Sequence, residues 1–361
     1  MQRVDGSALA GTYEDFHKPV ARVYADRTEL SVKEGIYLES VDVTESSGKE
    51  PDMAVLVYRV RKQPKAALRE FERRLAAGQT MEVKAGYGNK TTRIFLGYLH
   101  EINVCDFMRG DVEYTLLCLD VRGLMKKNSV FQVSGAQNVQ QTMKEILDTH
   151  KYKAYVDKQV VEALPQSMNP DCVIKGETHY DWLCSLADYL DYEFFCGRGR
   201  LVFRRAGKGD GLLTLSEGCG LGTVRTRISM AGQTGTVNVC SYNRKDMKIS
   251  AASHWAGITE PFGQRMGQVL QGFTRFLWNM ELDTGEQAAF RAQAVMDRAA
   301  RQFSRMEAVN IGMPEIAPGI CVKFEGETAE SLKGTIYVDE VRHLLDGKGY
   351  RTVFRGIRTG G

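Results

Sequence analysis

The chain has 361 residues, and 43% of them are hydrophobic, which is enough for a sizeable core and too many for a disordered chain. Lys and Arg outnumber Asp and Glu by only three, a near-balance that argues against sequence-specific nucleic-acid binding and against an anionic membrane surface. No apolar run approaches the ~20 residues of a membrane span, the greasiest being Ala54 to Tyr58, and the N-terminal Met1, Gln2, Arg3, Asp5 and Gly6 lack the apolar stretch of a secretory signal.

The first third reads as β-structure. Ile36 to Val43 alternates, with Tyr37, Val41 and Val43 on one face, and Ala54 to Val60 follows across Ser46-Ser47-Gly48. Pro64 opens a helix through Ala77, with Leu68, Phe71 and Leu75 as its apolar stripe and Gly78 as its stop. Strands are predicted over 81–85, 93–104 and 111–121, the last two joined through Arg109-Gly110-Asp111. The middle changes character. Asn138 caps a helix to Thr149, and Thr178 begins a second one to Leu190 with Asp181 at near-capping-box spacing. A hairpin follows over 192–196 and 201–204 through the turn Gly197-Arg198-Gly199-Arg200. Gly207 to Gly211 is the best linker by composition. Beyond it, 212–215, 222–230 and 236–249 read as strands, 254–282 as an aromatic-rich loop or arm, 285–303 as a helix, and 307–357 as three closing strands. The helix stripe of Ala288, Ala292, Val295, Met296, Ala299 and Phe303 reads as core.

Little of this carries chemistry. The eight cysteines (Cys105, Cys118, Cys172, Cys184, Cys196, Cys219, Cys240, Cys321) have wide spacings and no close pair, which favours small buried side chains in a reduced compartment over a zinc site. Gly86 to Thr91 has Asn89 where a phosphate loop needs Gly before the Lys, so a β-turn explains it better. Gly218 to Gly222 leads into a strand and offers no helix N-terminus. His179 and Cys184 lie on one helix at a spacing that makes them diverge. Asp188, Asp191 and Glu193 could form a carboxylate cluster, although a solvated helix end is the simpler account. No catalytic, cofactor-binding or metal-binding residue is nominated, and the expectation is a protein that is not an enzyme and carries no cofactor.

The late strands echo the early ones. Sliding the chain by 239 places Val83-Lys84 on Val322-Lys323, Tyr98 on Tyr337, Glu101 on Glu340 and Gly110 on Gly349 without a gap. Each copy runs strand, polar turn, long strand, turn, final strand. Two similar β-domains on either side of an α/β unit are therefore expected, a fold that is α+β and mainly β.

The run Phe95 to Ile102, followed by Tyr114 to Met125, resembles the first barrel of phage late control D proteins, the baseplate hubs of contractile tails. The same module forms the N-terminal hub part of VgrG spike proteins. Thr178 to Leu183, Tyr192 to Phe195 and Arg200 to Phe203 are similar to the family's middle helix-hairpin, and Pro318-Gly319, Val322, 334–343 and 350–355 to its second barrel. The resemblance implies an N-terminal arm (1–22), a tail-tube-like β-barrel domain (23–127), a small α/β domain (128–206) and a second tube-like barrel (207–361), the last with an arm or loop insertion at about 251–284 and a helix at 285–303. It implies a structural baseplate hub: a homotrimer whose two barrels per chain form a pseudo-six-fold ring between a six-fold tail tube and a three-fold spike. Implied partners are a separate spike protein, the tail tube protein, the tape-measure protein and other baseplate proteins, with assembly in the cytoplasm before incorporation into a phage tail or injection-system particle. VgrG proteins continue into an OB-fold and a β-helical needle, and the expectation here is that the spike is a separate polypeptide. Two alternatives stay open. One is a receptor- or glycan-binding tail module using the aromatic-rich 254–282 stretch. The other is a cell-wall hydrolase using the acidic set near Asp188.

Overall fold

The computed structural model describes residues 2–358 apart from 31–33, 64, 109, 170, 217–218, 243–247, 255–262, 280–281, 327–328, 330–331 and 333. The first part of the chain forms β1 (Gln2–Asp5), α1 (Gly6–Thr12), β2 (Pro19–Ala25), β3 (Thr28–Glu29), β4 (Ile36–Ser46), β5 (Met53–Val60), α2 (Lys65–Arg73), β6 (Thr80–Tyr87), β7 (Lys90–Asp106), β8 (Val112–Leu119) and α3 (Val121–Met125). Strict alternation along β5 and β8 buries Ala54, Leu56, Tyr58 and Val60 with Val112, Tyr114, Leu116 and Cys118 on one face. Helix α2 closes that face by setting Phe71 between Tyr58 and Tyr114, with ring centroids 5.0 Å away on each side. It stops at Arg73, short of the expected Ala77, and Pro64, its expected opener, lies outside the described residues. The Gly86–Thr91 stretch is a hairpin with Tyr87 opposite Lys90, so the turn reading holds there.

The middle of the chain gives β9 (Ser129–Asn138), α4 (Val139–Leu147), β10 (Lys158–Val161), β11 (Asp171–Thr178), α5 (His179–Leu190), β12 (Tyr192–Gly197) and β13 (Arg200–Arg205). Asn138 and Gln141 form a full capping box on α4, and the Thr178 hydroxyl caps α5 at the Asp181 N–H, 3.0 Å away. The two-residue turn between β12 and β13 has both Arg198 (φ +57°) and Gly199 (φ +83°) in the left-handed region, the hairpin type that matches strand twist. A separate core holds this region together, with Met143, Leu183, Leu201 and Phe203 among its members.

The last part contributes β14 (Gly211–Leu215), β15 (Leu221–Ile228), β16 (Thr236–Ser241), β17 (Ile249–His254), α6 (Met266–Leu270), β18 (Thr274–Trp278), α7 (Gly285–Arg301), β19 (Ser304–Ile311), β20 (Cys321–Phe324), β21 (Thr335–Asp346) and β22 (Gly349–Arg358). Several expectations need correction here. The single strand over 236–249 is two strands, with 243–247 outside the described residues. The arm or loop at 251–284, in its described parts, carries β17, α6 and β18, and the closing region has four strands rather than three. Strands β17, β16 and β18 make a small sheet of their own. Helix α7, opened by a Thr284–Gln287 capping box, packs on it through Ala288, Ala292 and Met296 against Val237, Val239 and Ile249. The N-terminal arm is not free: β1 pairs in parallel with β14, and β2 begins at Pro19, so the expected boundary at 22 falls inside a strand.

Among the described residues one 14-stranded sheet contains the strands of both halves. In the first half the order is β2-β6-β7-β8-β5-β4, and in the second it is β14-β20-β21-β22-β19-β15. These are the same six strands in the same order. Their irregularities coincide as well: the β7–β8 ladder breaks register between Leu99 and Glu101, and β21–β22 between Val338 and Glu340. The β4–β5 ladder breaks between Leu38 and Ser40, and β15–β19 between Leu221 and Thr223. The shift of 239 holds along the long strand alone: Val322, opposite Ile336, is the equivalent of Met81, opposite Gly97, and not of Val83, and after the strand the shift drops to 238, because Leu117 stands opposite Glu101 while Arg355 stands opposite Glu340. The Gly110–Gly349 match is thus a coincidence of two turns. One joint differs outright: β2 runs antiparallel to β6, whereas β14 runs parallel to β20.

Candidate assembly seam

The two six-strand units meet where β4 pairs antiparallel with β21, from Glu340 opposite Ser46 to Leu345 opposite Val41. Arg342 crosses this joint and donates to both oxygens of Asp42, at 2.9 and 2.6 Å. One hydrophobic core runs under both units and includes Val43, Leu56, Val83, Val322, Val341 and Phe354. An aromatic group adds to the seam. Tyr13, Phe16 and Tyr87 pack together with tilted or edge-on rings and Tyr350 adds against Tyr87, at centroid distances of 5.3 to 6.1 Å, and the Tyr87 hydroxyl donates to the Gly312 carbonyl at 2.8 Å. Gly312 is required there, since a Cβ would lie 2.0 Å from the Tyr350 ring.

Beneath the seam sit three arginines, Arg122 on α3 and Arg198 and Arg204 on the β12–β13 hairpin. Arg122, fully buried, donates to Asp120 Oδ2 and Asp52 Oδ1 at 2.8 Å each, to the Gly48 carbonyl at 2.9 Å and to the Phe194 carbonyl at 3.4 Å. It therefore ties the β4–β5 turn to β12. Burial pushes both carboxyls upward and the guanidinium charge pulls them back, so the cluster persists only as a set. Arg198, at the tip of the β12–β13 hairpin, reaches Glu45 Oε2 at 3.4 Å and the Ile316 carbonyl at 2.7 Å. Burial raises the Glu45 carboxyl to about 7, with Arg198 opposing, and Glu45 Oε1 has no hydrogen-bond partner. His343 beside it donates from Nε2 to the Ile316 carbonyl at 3.1 Å and accepts at Nδ1 from Tyr350 at 3.0 Å. Burial lowers its pKa to about 3, so its 3.8 Å approach to Glu45 is that of a neutral ring and not an ion pair. Arg204 pairs with Glu193 at 2.7 Å, and the Tyr337 hydroxyl donates to Glu193 at 2.6 Å, docking the middle region on the second unit.

These contacts dispose of the acidic cluster near Asp188 as a solvated helix end. Asp188 pairs with Lys49 and Arg298, Asp191 with Arg298 and Arg301, and Glu193 is buried. Asp188 and Asp191 hold α7 to the middle region, and Glu193 holds the second unit to it. His179 and Cys184 do not meet as a pair: His179 Nδ1 faces Tyr152 Oη at 2.9 Å, and burial lowers the His179 pKa and raises that of Cys184. The seven cysteines with described side chains are free thiols, five of them buried. Among the described residues no group of three His, Cys, Asp or Glu could hold a metal ion, and no helix is long and apolar enough to cross a membrane. One exposed apolar group is aromatic. Phe273, Phe276 and Trp278, on and beside the edge strand β18, are 63, 70 and 65% exposed, within the stretch expected to be an aromatic-rich arm. Arg122, Arg198 and Arg204 were not legible as seam residues. The only sequence signal was an arginine in a glycine-flanked hairpin turn at 198.

The model of the family described as the Alg8 N-terminal domain matches residues 65–346, from the start of α2 to the end of β21. The chain belongs to that family. The family description names a domain and no reaction. A search of curated proteins matched none. Among solved structures, this Alg8 N-terminal domain chain is similar to the 43 kDa tail protein of prophage MuSo2 from Shewanella oneidensis (TM-score 0.70, 17% identity, covering 94% of this chain and 98% of that one). It is similar to a tail protein from Neisseria meningitidis MC58 (TM-score 0.68, 13% identity, 95% and 97%). A third similar structure is the E. coli c3393 protein (TM-score 0.61, 11% identity, 94% and 77%), a component of the type VI secretion system described as structurally similar to the T4 bacteriophage tail proteins gp27 and gp5. The fold is that of phage tail proteins and of this secretion-system component.

Proposed function

We propose that the chain is the structural baseplate hub of a contractile tail or injection system. Three copies would make a ring of six β-units that joins a six-fold tail tube to a three-fold spike. The observation that carries this reading is the duplicated six-strand order with matching register breaks: two quasi-equivalent units in one chain let three chains present six positions. The likeness in fold to prophage tail proteins and to a secretion-system component supports the same setting. Tube, tape-measure and other baseplate proteins would be its neighbours in the particle, after assembly in the cytoplasm. Native mass spectrometry and electron microscopy of the purified chain test it. The expected result is a trimer of about 120 kDa seen as a three-fold ring with six lobes. A chain that stays monomeric with its spike and tube partners present overturns it.

A second reading has its own observation. The exposed Phe273, Phe276 and Trp278 form the kind of apolar surface that binds a partner or a glycan. Within a hub it would receive a neighbouring baseplate protein; in a receptor-binding tail module it would receive sugar. Binding on a glycan array that is lost in Trp278→Ala favours the sugar, and a silent array removes it.

A further inference from the structure

Inside the chain, β4 occupies the part of β21 that β20 leaves uncovered: β20 pairs with Thr335 to Tyr337, and β4 with Glu340 to Leu345. The repeat makes β7 the counterpart of β21, and β15 the counterpart of β4. On β7, β6 pairs only from Lys90 to Tyr98. The edge from Glu101 to Asp106 has no strand partner on that side among the described residues, and all of it but Ile102 is exposed. On the other unit, β15 pairs only with β19, and neither Arg225 nor Arg227 has a carboxylate partner among the described residues. Two open strand edges on a folded chain invite pairing unless something covers them.

We propose that β15 of one copy adds to the 101–106 edge of β7 in a second copy, in the antiparallel register that β4 uses on β21. The proposal rests on the ring reading above and names the contact that would close the ring. Carried over residue by residue, the in-chain register sets Ile102 opposite Ile228, Val104 opposite Thr226 and Asp106 opposite Val224 on the face continuous with the core. On the other face Glu101 stands opposite Ser229, Asn103 opposite Arg227 and Cys105 opposite Arg225. On that second face acidic Glu101 lies diagonal to basic Arg227. Val104, 56% exposed in the single chain, is covered. Each copy offers one edge of each kind, so the contact is head-to-tail, and in a trimer the in-chain and between-chain seams alternate six times around the ring.

Cys105 supplies the test, because it is an exposed free thiol opposite Arg225 in this register. Directly opposed residues of antiparallel strands have Cα atoms about 4.5–5.5 Å apart, within disulfide reach. The Arg225→Cys chain is oxidised, run on a non-reducing gel and weighed by native mass spectrometry. A ladder of two and three linked chains is expected. It should collapse on reduction, stop at three, and be absent from the wild type and from the Arg225→Cys, Cys105→Ser double variant. A trimer by mass that does not cross-link overturns this register and leaves the hub reading standing. A monomer that does not cross-link overturns both, and a ladder running past three overturns the closed ring while supporting the pairing. Charge exchange gives an independent arm: Glu101→Arg should lower the trimer fraction about tenfold at low salt, and adding Arg227→Glu should restore it. Failure of either change to move the trimer fraction counts against the pairing.

Discussion

The two β-units share one strand order and differ most at the turn between the two strands that end it. In the first unit β4 and β5 are joined by residues 47–52, a tight turn anchored by Arg122 through the Gly48 carbonyl and Asp52. In the second unit the same place, between β15 and β19, holds residues 229–303, with a three-stranded sheet, α6 and α7. A hairpin tip can absorb such an insertion because the ladder beside it is untouched and the added chain brings its own small core. The comparison teaches that the frame is conserved by pairing and that individuality is placed at its tips. A repeated tyrosine makes the same point in miniature. Tyr98 and Tyr337 are equivalent and both buried against the middle region, yet Tyr98 meets the Tyr155 ring while Tyr337 donates to Glu193.

Substitutions can break this comparison, and the largest effect is expected at the anchored tip. Arg122→Ala leaves Asp52 and Asp120 buried without their counter-charge and should cost about 3–5 kcal/mol in denaturant unfolding. A loss within ordinary surface-mutation range would mean that the tip is not held by this cluster. Next comes Glu45 at the seam. Its raised pKa means that the folded chain takes up a proton between the usual carboxylate value and about 7. The stability this gives is full below the unfolded value and is lost as pH rises through about 7. His343 acts in the opposite sense, its contribution being lost as pH falls from 6.5 toward about 3. Comparison with Glu45→Gln isolates the carboxyl: relative to the variant, the wild type should lose about 2–3 kcal/mol between pH 4.5 and 8. A pH-independent difference would show that Glu45 is not the titrating group.

Gly312→Ala sharpens the aromatic side of the seam. The added methyl meets the Tyr350 ring, and overpacking of about 1–3 kcal/mol is expected, read as a lower thermal midpoint. An unchanged midpoint would mean that the ring yields freely. The smallest stability effect belongs to the insertion's outer face. Phe276→Ala with Trp278→Ala should change the midpoint by less than about 0.5 kcal/mol equivalent, because both side chains are in solvent, while abolishing capture of whatever docks on β18. A large destabilisation would show that these rings pack within the chain.

Much of the frame was legible. Alternation located β4 to β8, because strands with one wet face write their period into the sequence. Capping residues placed α4 and α5 to within a residue or two, because Asn138 and Thr178 satisfy N–H groups that no other local partner can reach, and the apolar stripe from Ala288 to Met296 placed α7. The insertion read as a loop, because its strands are short and β18 keeps its largest side chains in solvent, so no apolar face shows in the pattern. The seam was not legible, since the contacts that cross it join residues far apart in the chain, Arg122 to Asp52 at 70 positions, Arg204 to Tyr337 at 133 and Arg198 to Glu45 at 153.

By itself, the sequence determined where strands and helices form and that one strand pattern recurs, because periodicity, caps and turn residues act over neighbours a few positions apart. The tertiary structure alone decided that the two copies share one sheet through β4 and β21, that Arg122, Arg198 and Arg204 tie the middle region to them, and that matching edges at β7 and β15 are left open. Those outcomes depend on which distant strands find each other and on charges that are tolerable inside the fold only when their partners arrive with them.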